Sequence, residues 1–195
     1  MARTAEVQRK TTETDIFVKI DLDGEGKSEV DTTLPFLDHM LVLLAGHSLV
    51  DMSIKGRGDT DVDDHHLVED LGLCLGEAFK KALGDKKGIK RYGTAFIPMD
   101  ESLSHVSIDL SGRPFLVYNV TYEREKVKNF ELLQLREFFR AFADRSGMTL
   151  HINTIYGSNS HHSAESVFKA VARALREAVA IDDRVSGVLS TKGVL

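Results

Sequence analysis

Asp64-His65-His66-Leu67-Val68-Glu69 returns near the end of the chain as Ser160-His161-His162-Ser163-Ala164-Glu165. With eight His and thirteen Glu in 195 residues, a His-His-x-x-Glu string is expected by chance on the order of 0.02 times. Each copy opens an apolar helical pattern, so the pair points to a duplicated site at two helix starts. Imidazole and carboxylate together suit Mn, Zn, Fe or Ni rather than Ca or Mg. Two solvated helix starts, with polar groups near the positive end of the helix dipole, would not account for the repetition.

The flanks of the two cassettes also repeat. Alternation over Asp15–Leu22 predicts a half-buried strand, with a turn through Asp23-Gly24-Glu25-Gly26 and a second strand over Ser28–Thr33. A helix over Leu37–Ala45, a strand over Met52–Gly56 and a long helix over Asp64–Leu83 complete the first half. The second half reads as strands at Ala95–Met99, Val106–Leu110 and Phe115–Tyr122, then a helix at Phe130–Asp144. A strand at Thr149–Ile155 and a helix at His161–Val179 follow. Overlaid at an offset near 98 residues, His39 meets Glu137, Asp51-Met52-Ser53-Ile54 meets Thr149-Leu150-His151-Ile152, and the cassettes fall at matching places. The expected fold is therefore α/β (α+β), a tandem duplication with half-repeats at 1–90 and 91–195 in a single compact unit. Two helices per half would cover the apolar face of each sheet. One continuous mixed sheet explains the order less economically.

Composition narrows the setting. An apolar fraction of 42% and a charged fraction of 28% are those of a soluble globular protein. The net charge of −5 gives no electrostatic reason to expect nucleic acid or an acidic membrane. The lone Cys74 lies between Leu73 and Leu75, which favours a buried structural thiol and a reducing cytoplasm. No apolar run approaches the roughly 20 residues of a membrane span, and Met1–Lys10 has no hydrophobic signal core.

Successive helical residues are about 100° apart, so His65 and His66 do not aim easily at one point, whereas Glu69 can share an ion with either. One helix start would then serve two ions. His39 adds a ligand on the preceding helix and Glu137 its repeat equivalent. This gives two sets: His39, His65, His66, Glu69 and Glu137, His161, His162, Glu165. Four protein ligands leave open positions on an octahedral ion, as a catalytic site requires. Asp38, Asp63, Asp64 and Asp70 are available to the imidazole N–H groups, or as helix caps and surface acids. Other signals are weaker. Glu13, after Arg9-Lys10-Thr11-Thr12, is a candidate base or an edge-strand surface residue. His47 follows a helix, where it could be a dipole partner. The tail Ser186–Gly193 could clasp a phosphate or simply fray. Arg91 and Arg113 stand in turn-like contexts compatible with anion binding.

Taken together, the chain resembles the imidazoleglycerol-phosphate dehydratase family over nearly its whole length. The likeness rests on Phe36-Leu37-Asp38-His39-Met40-Leu41, Asp63 to Asp70, Leu110-Ser111-Gly112-Arg113-Pro114, Asn159 to Glu165 and Ser190-Thr191-Lys192-Gly193-Val194-Leu195. The resemblance implies two four-stranded sheets flanking a layer of helices, two Mn ions per active site, and a homo-oligomer of 24 chains with sites shared between subunits. It implies dehydration of D-erythro-imidazoleglycerol phosphate to imidazole-acetol phosphate in histidine biosynthesis. It places the eight ligands above on metal positions, and Glu13, His39, His47, Arg91, Arg113, Ser190 and Lys192 on substrate-contacting ones. Many members carry histidine where this chain has Glu137, and a bulkier aliphatic pair where it has Ser163-Ala164. The charge logic is a metal-stabilised imidazolate that expels the neighbouring hydroxyl, with Glu13 or Glu165 shuttling the proton. A dinuclear hydrolase and a metal-storage or sensor protein are the competing readings. The first would act on generic phosphate esters, and the second would bind metal without phosphate.

Overall fold

In the computed structural model, which describes residues 2–193, two sheets of one topology enclose a layer of helices. The first half runs β1 (Thr4–Lys10), β2 (Thr14–Asp21), β3 (Ser28–Asp31), α1 (Pro35–Ser48), β4 (Asp51–Gly58) and α2 (His65–Leu83). The second runs β5 (Tyr92–Met99), β6 (Ser102–Asp109), β7 (Phe115–Asn119), β8 (Lys126–Val127), β9 (Phe130–Glu131), α3 (Gln134–Ser146), β10 (Thr149–Tyr156) and α4 (Ser160–Val179). The sheet orders are β1-β2-β4-β3 and β5-β6-β10-β7. In each, the first three neighbours pair antiparallel and the last pair is parallel, closed by a helical crossover through α1 or α3. Residues 194 and 195, the last two of the Ser190–Leu195 motif, lie outside the described residues.

Strict alternation in β2 and β6 buries one face of each sheet and leaves the other wet. Helix α2 lies on the first sheet and α4 on the second, but each helix also packs on the short helix of the other half: α2 on α3 and α4 on α1. The halves are thus interlocked rather than side by side. Between them Phe79, Phe138, Phe139, Phe142 and Phe168 are fully buried, and the Phe79 and Phe142 rings meet edge to face at 5.3 Å. Gly72 and Gly76 set the α2/α3 separation. A β-carbon at Gly72 would stand 2.5 Å from the Phe138 carbonyl oxygen, and one at Gly76 2.7 Å from that of Phe142.

Three expectations need correction. Strand β1 was not expected, because an edge strand reading Thr-Ala-Glu-Val-Gln-Arg-Lys offers only Ala5 and Val7 as apolar signal; it nonetheless pairs with β2 along its full length. The helix expected from Phe130 begins at Gln134, since Phe130-Glu131 pairs with Lys126-Val127 in a small hairpin. The strand expected to reach Tyr122 stops at Asn119. Among the described residues no helix is long and apolar enough to cross a membrane.

Candidate active site

Crosswise helix pairing decides which side chains meet. On the α1/α4 seam, His39 Nε2 and His161 Nε2 stand 2.9 and 3.1 Å from the same Glu165 oxygen, Oε1. The other oxygen, Oε2, accepts from Lys169 Nζ at 2.6 Å. Burial pushes the Glu165 carboxyl up, but the hydrogen bonds from Lys169, His39 and His161 outweigh it and hold the group down at about 2. Two imidazoles and one carboxylate with ligand atoms within 4.8 Å of one another match the donor chemistry of a first-row divalent ion.

The α2/α3 seam carries the counterpart. His65 Nε2 lies 3.6 Å from Glu69 Oε2. Glu69 Oε1 and Glu137 Oε2 are both bound by Arg140 Nη2, at 2.9 and 3.0 Å. The ligand sets expected from sequence are therefore regrouped. His39 of the first half joins His161 and Glu165 of the second, and Glu137 of the second meets Glu69 of the first through Arg140. Linear reading groups residues by half, but α1 and α3 cross over to the opposite long helix, so each seam mixes the halves.

His66 and His162 point elsewhere. The adjacent rings lie at 77° to each other for His65/His66 and 88° for His161/His162, with centroids about 6 Å apart. His66 Nδ1 sits 3.1 and 3.2 Å from the two oxygens of Asp59, and His162 Nδ1 2.7 Å from Glu101 Oε2. Those bonds raise both imidazoles above their ordinary value, and the His162 contact lowers Glu101 to about 2. Each ring thereby has Nδ1 engaged by a carboxylate of its own chain. Asp59 and Glu101 were not singled out from sequence. Among the described residues, none of the expected partners bonds an imidazole. Asp38 accepts from the Thr32 N–H and hydroxyl, Asp63 from the His65 N–H and Gln134, and Asp70 from Thr14 and Arg9. Asp64 precedes α2 without a side-chain cap bond. The helix starts themselves are locally fixed: Asn159 caps α4 by accepting from the His161 and His162 N–H groups. The small Ser163 lets α4 settle on β6, 3.3 Å from the Ser102 hydroxyl.

Glu13 lies in the β1–β2 turn, half-exposed, with Oε2 3.9 Å from His66 Nδ1. His47 is in the last turn of α1; partial desolvation, then the positive charges of Lys169 and Arg173, push its imidazole below the ordinary value. A groove of ≈690 Å³ opens beside His39 and His161, walled by Phe36, Val127, Lys128 and Phe130.

The proposed anion-binding groups gather at the far end of the second sheet. Arg91 is buried; its Nε and Nη2 donate to the two Asp109 oxygens at 2.6 and 3.0 Å, and its Nη1 to the Leu189 carbonyl at 2.7 Å. Arg113 Nη2 lies 3.8 Å from the same aspartate. The tail is thus tied down just before Ser190, whose hydroxyl accepts from the Lys192 N–H at 3.2 Å. The Arg91 N–H donates to Ala178, thirteen residues beyond Glu165 on the same helix and hence ~20 Å along it. Metal-type and anion-type groups lie at opposite ends of one chain.

The sequence pattern of imidazoleglycerol-phosphate dehydratase matches residues 32–175. The chain is 60% identical over 194 residues to the imidazoleglycerol-phosphate dehydratase of Syntrophus aciditrophicus, covering 99% of this chain and 98% of that one. It is 57% identical over 193 residues to that of Clostridium kluyveri, covering 99% and 100%. The crystal structure of the Staphylococcus aureus imidazoleglycerol-phosphate dehydratase superposes with a TM-score of 0.84 at 39% identity, over 92% of this chain and 99% of that one. The Pyrococcus furiosus structure, in complex with (S)-C348, gives 0.84 at 38%, over 97% and 100%.

Proposed function

The chain belongs to the imidazoleglycerol-phosphate dehydratase family, hydro-lyases of histidine biosynthesis, and from that premise we propose a dimanganese site shared between copies of the chain. The reaction is loss of water from D-erythro-imidazoleglycerol phosphate, in the cytoplasm, giving imidazole-acetol phosphate. The two halves, 1–90 and 91–195, are read as products of tandem duplication. One ion would be held by His39, His161 and Glu165, the other by His65, Glu69 and Glu137. His66 and His162, whose Nδ1 atoms are bound by Asp59 and Glu101, would use Nε2 to complete the coordination of ions held by neighbouring copies. Bound there, divalent ions would supply positive charge at the substrate's imidazole ring, favouring its anionic form, which can expel the hydroxyl on the ring-bearing carbon.

The residues of this chain do the remaining work. Both Glu165 oxygens are engaged, one by two imidazoles and one by Lys169, which leaves it a poor base. Glu13 is half-exposed and borders His66, and is the better proton shuttle. The hydroxyl on the ring-bearing carbon departs with a proton as water while Glu13 takes the C–H proton from the next carbon along; the enol formed there tautomerises to the ketone by gaining a proton at the ring-bearing carbon. Arg91, Arg113, Ser190 and Lys192 hold the phosphate and fix its orientation, and His47 would contact the polar chain between ring and phosphate.

One observation carries the shared site: ~20 Å of α4 separates Glu165 from the Arg91 cradle. A substrate of one ring, three carbons and one phosphate cannot span that. The phosphate cradle of one copy must therefore face the metal cluster of another, in the 24-chain assembly that the resemblance implied. Subunit complementation tests this. Glu165→Ala and Arg113→Ala chains, each inactive alone, should regain activity when unfolded together and co-assembled, because mixed interfaces rebuild intact sites. Absence of recovery, with mixed oligomers verified by mass, would place both groups in one chain's site and defeat the reading. A hydrolase would instead turn over generic phosphate esters, and a storage protein would show no affinity for inorganic phosphate.

A further inference from the structure

We propose that Arg140 is a positioning residue of the α2/α3 cluster, holding one oxygen each of Glu69 and Glu137 and leaving the opposite oxygens free for the ion. The inference rests on the metal reading above. It starts from a difference in charge between the seams. The α1/α4 cluster contains one carboxylate, Glu165, and two imidazoles, whereas the α2/α3 cluster contains two carboxylates, Glu69 and Glu137, and one imidazole. Two like charges brought together repel and turn apart unless a cation stands between them.

A single guanidinium nitrogen answers this. Arg140 Nη2 is 2.9 Å from Glu69 Oε1 and 3.0 Å from Glu137 Oε2. The free Glu69 oxygen, Oε2, is the one facing His65 Nε2. Each glutamate is thus turned into a one-oxygen ligand before any ion arrives. The contact depends on close approach of the helices, which Gly72 and Gly76 permit against the Phe138 and Phe142 carbonyls. At the offset near 98 that sets His39 against Glu137, Arg140 falls opposite Val42, an exposed apolar residue of α1. At this position of the short helices the cation stands in α3, which contributes a carboxylate, and not in α1, which contributes an imidazole; the α1/α4 cluster has its cation on the long helix, Lys169 on Glu165 Oε2. Arg140 and Glu69 are both substantially exposed, with side chains 52% and 33% accessible. Such pairs contribute little to folding, so the role should be visible in ion binding rather than in stability.

The experiment is calorimetric titration of Mn into metal-free wild type, Arg140→Gln, Arg140→Lys, Glu137→His and the Glu137→His/Arg140→Gln double variant, with thermal melts as a control on folding. Wild type should bind two ions per chain. Arg140→Gln should weaken one of them by about tenfold or more, the range typical of partners behind metal ligands, and leave the other unchanged. Arg140→Lys should recover most of the loss. In the Glu137→His background the Arg140→Gln effect should largely disappear, because the second carboxylate is gone. Equal binding by Arg140→Gln and wild type, tighter binding (Arg140 as a competitor of the ion), equal weakening of both ions, or an undiminished effect in the Glu137→His background would each overturn the proposal. Failure of wild type to bind two ions would instead overturn the metal reading on which it rests.

Discussion

The two seams are built from the same parts and differ in how they are set. Along α1/α4, Glu165 is nearly buried, and its two oxygens are shared among His39, His161 and Lys169 at 2.6–3.1 Å. Along α2/α3 the counterparts stand wider, with His65 3.6 Å from Glu69, and an exposed arginine in place of a partly buried lysine. The connections differ too. Residues 32–34 alone join β3 to α1, whereas residues 120–133, including the β8/β9 hairpin, join β7 to α3. That longer connection returns to the opposite seam, where Phe130 packs on Phe36 at 5.4 Å and Phe36 meets His161 edge-on. The two halves thus share one topology, and departures from symmetry made one seam compact and walled, the other open.

The largest expected effects come from removing a ligand on one seam only. Glu165→Ala should lose one ion per chain and bring turnover to background, while the α2/α3 ion remains. Glu69→Ala should do the converse. Elemental analysis paired with a turnover assay reads both. If each substitution strips both ions, the seams are not separate sites.

Glu137, the proposed asymmetric ligand, should show a graded response. Glu137→His makes the two seams alike in donor type and should keep two ions per chain, since imidazole replaces carboxylate on Mn at similar reach. Glu137→Ala should lose or strongly weaken one. Two firmly held ions in the alanine variant would remove Glu137 from the site.

Behind the second histidine of each cassette the comparison runs the same way, with α4 bearing the tighter contact. Glu101→Ala should weaken Mn binding by about 10–100-fold, because it frees a ring held at 2.7 Å. Asp59→Ala, which frees one held at 3.1 and 3.2 Å, should cost less. Glu101→Gln can still accept from Nδ1–H and should fall between wild type and Glu101→Ala. An alanine effect smaller at Glu101 than at Asp59 would show that bond length is not what ranks them.

The doubled cassette made the long helices, the two-sheet architecture and the eight ligand candidates legible from sequence, because periodicity and residue type are local properties. Crosswise pairing was not legible. That His39 meets Glu165 instead of Glu69 depends on which long helix α1 covers, a matter of packing around the phenylalanine core and of Gly72 and Gly76. Asp59 and Glu101 escaped notice because each lies in a turn preceding or flanking its histidine's helix, outside any helical spacing. Strand β1 was missed because an edge strand needs few apolar residues. The anion groups were each visible as residues, but their gathering around Asp109 was not.

The smallest expected difference concerns folding of the metal-free protein, where the seams can be compared without an ion. Lys169 and Glu165 are largely buried, with side chains 16% and 10% accessible, so Lys169→Met strands a carboxylate in a low-dielectric position. Losing one partner of a buried pair costs up to about 3–5 kcal/mol; with His39 and His161 still bonded to Glu165, about 2 kcal/mol is expected. Arg140→Met breaks half-exposed pairs and should cost roughly 0.2–1 kcal/mol. The sign with pH follows from Glu165. Its carboxyl is held at about 2 against an ordinary 4.5, so its contribution is fully present above 4.5 and is lost as the pH falls toward 2. Urea denaturation of chelator-treated protein should therefore show the wild-type-to-Lys169→Met gap at full size at pH 7 and narrowing below pH 4.5. A gap that persists undiminished at pH 3 would assign it to packing of the lysine stem. Equal costs for the two variants would mean that burial does not distinguish the seams.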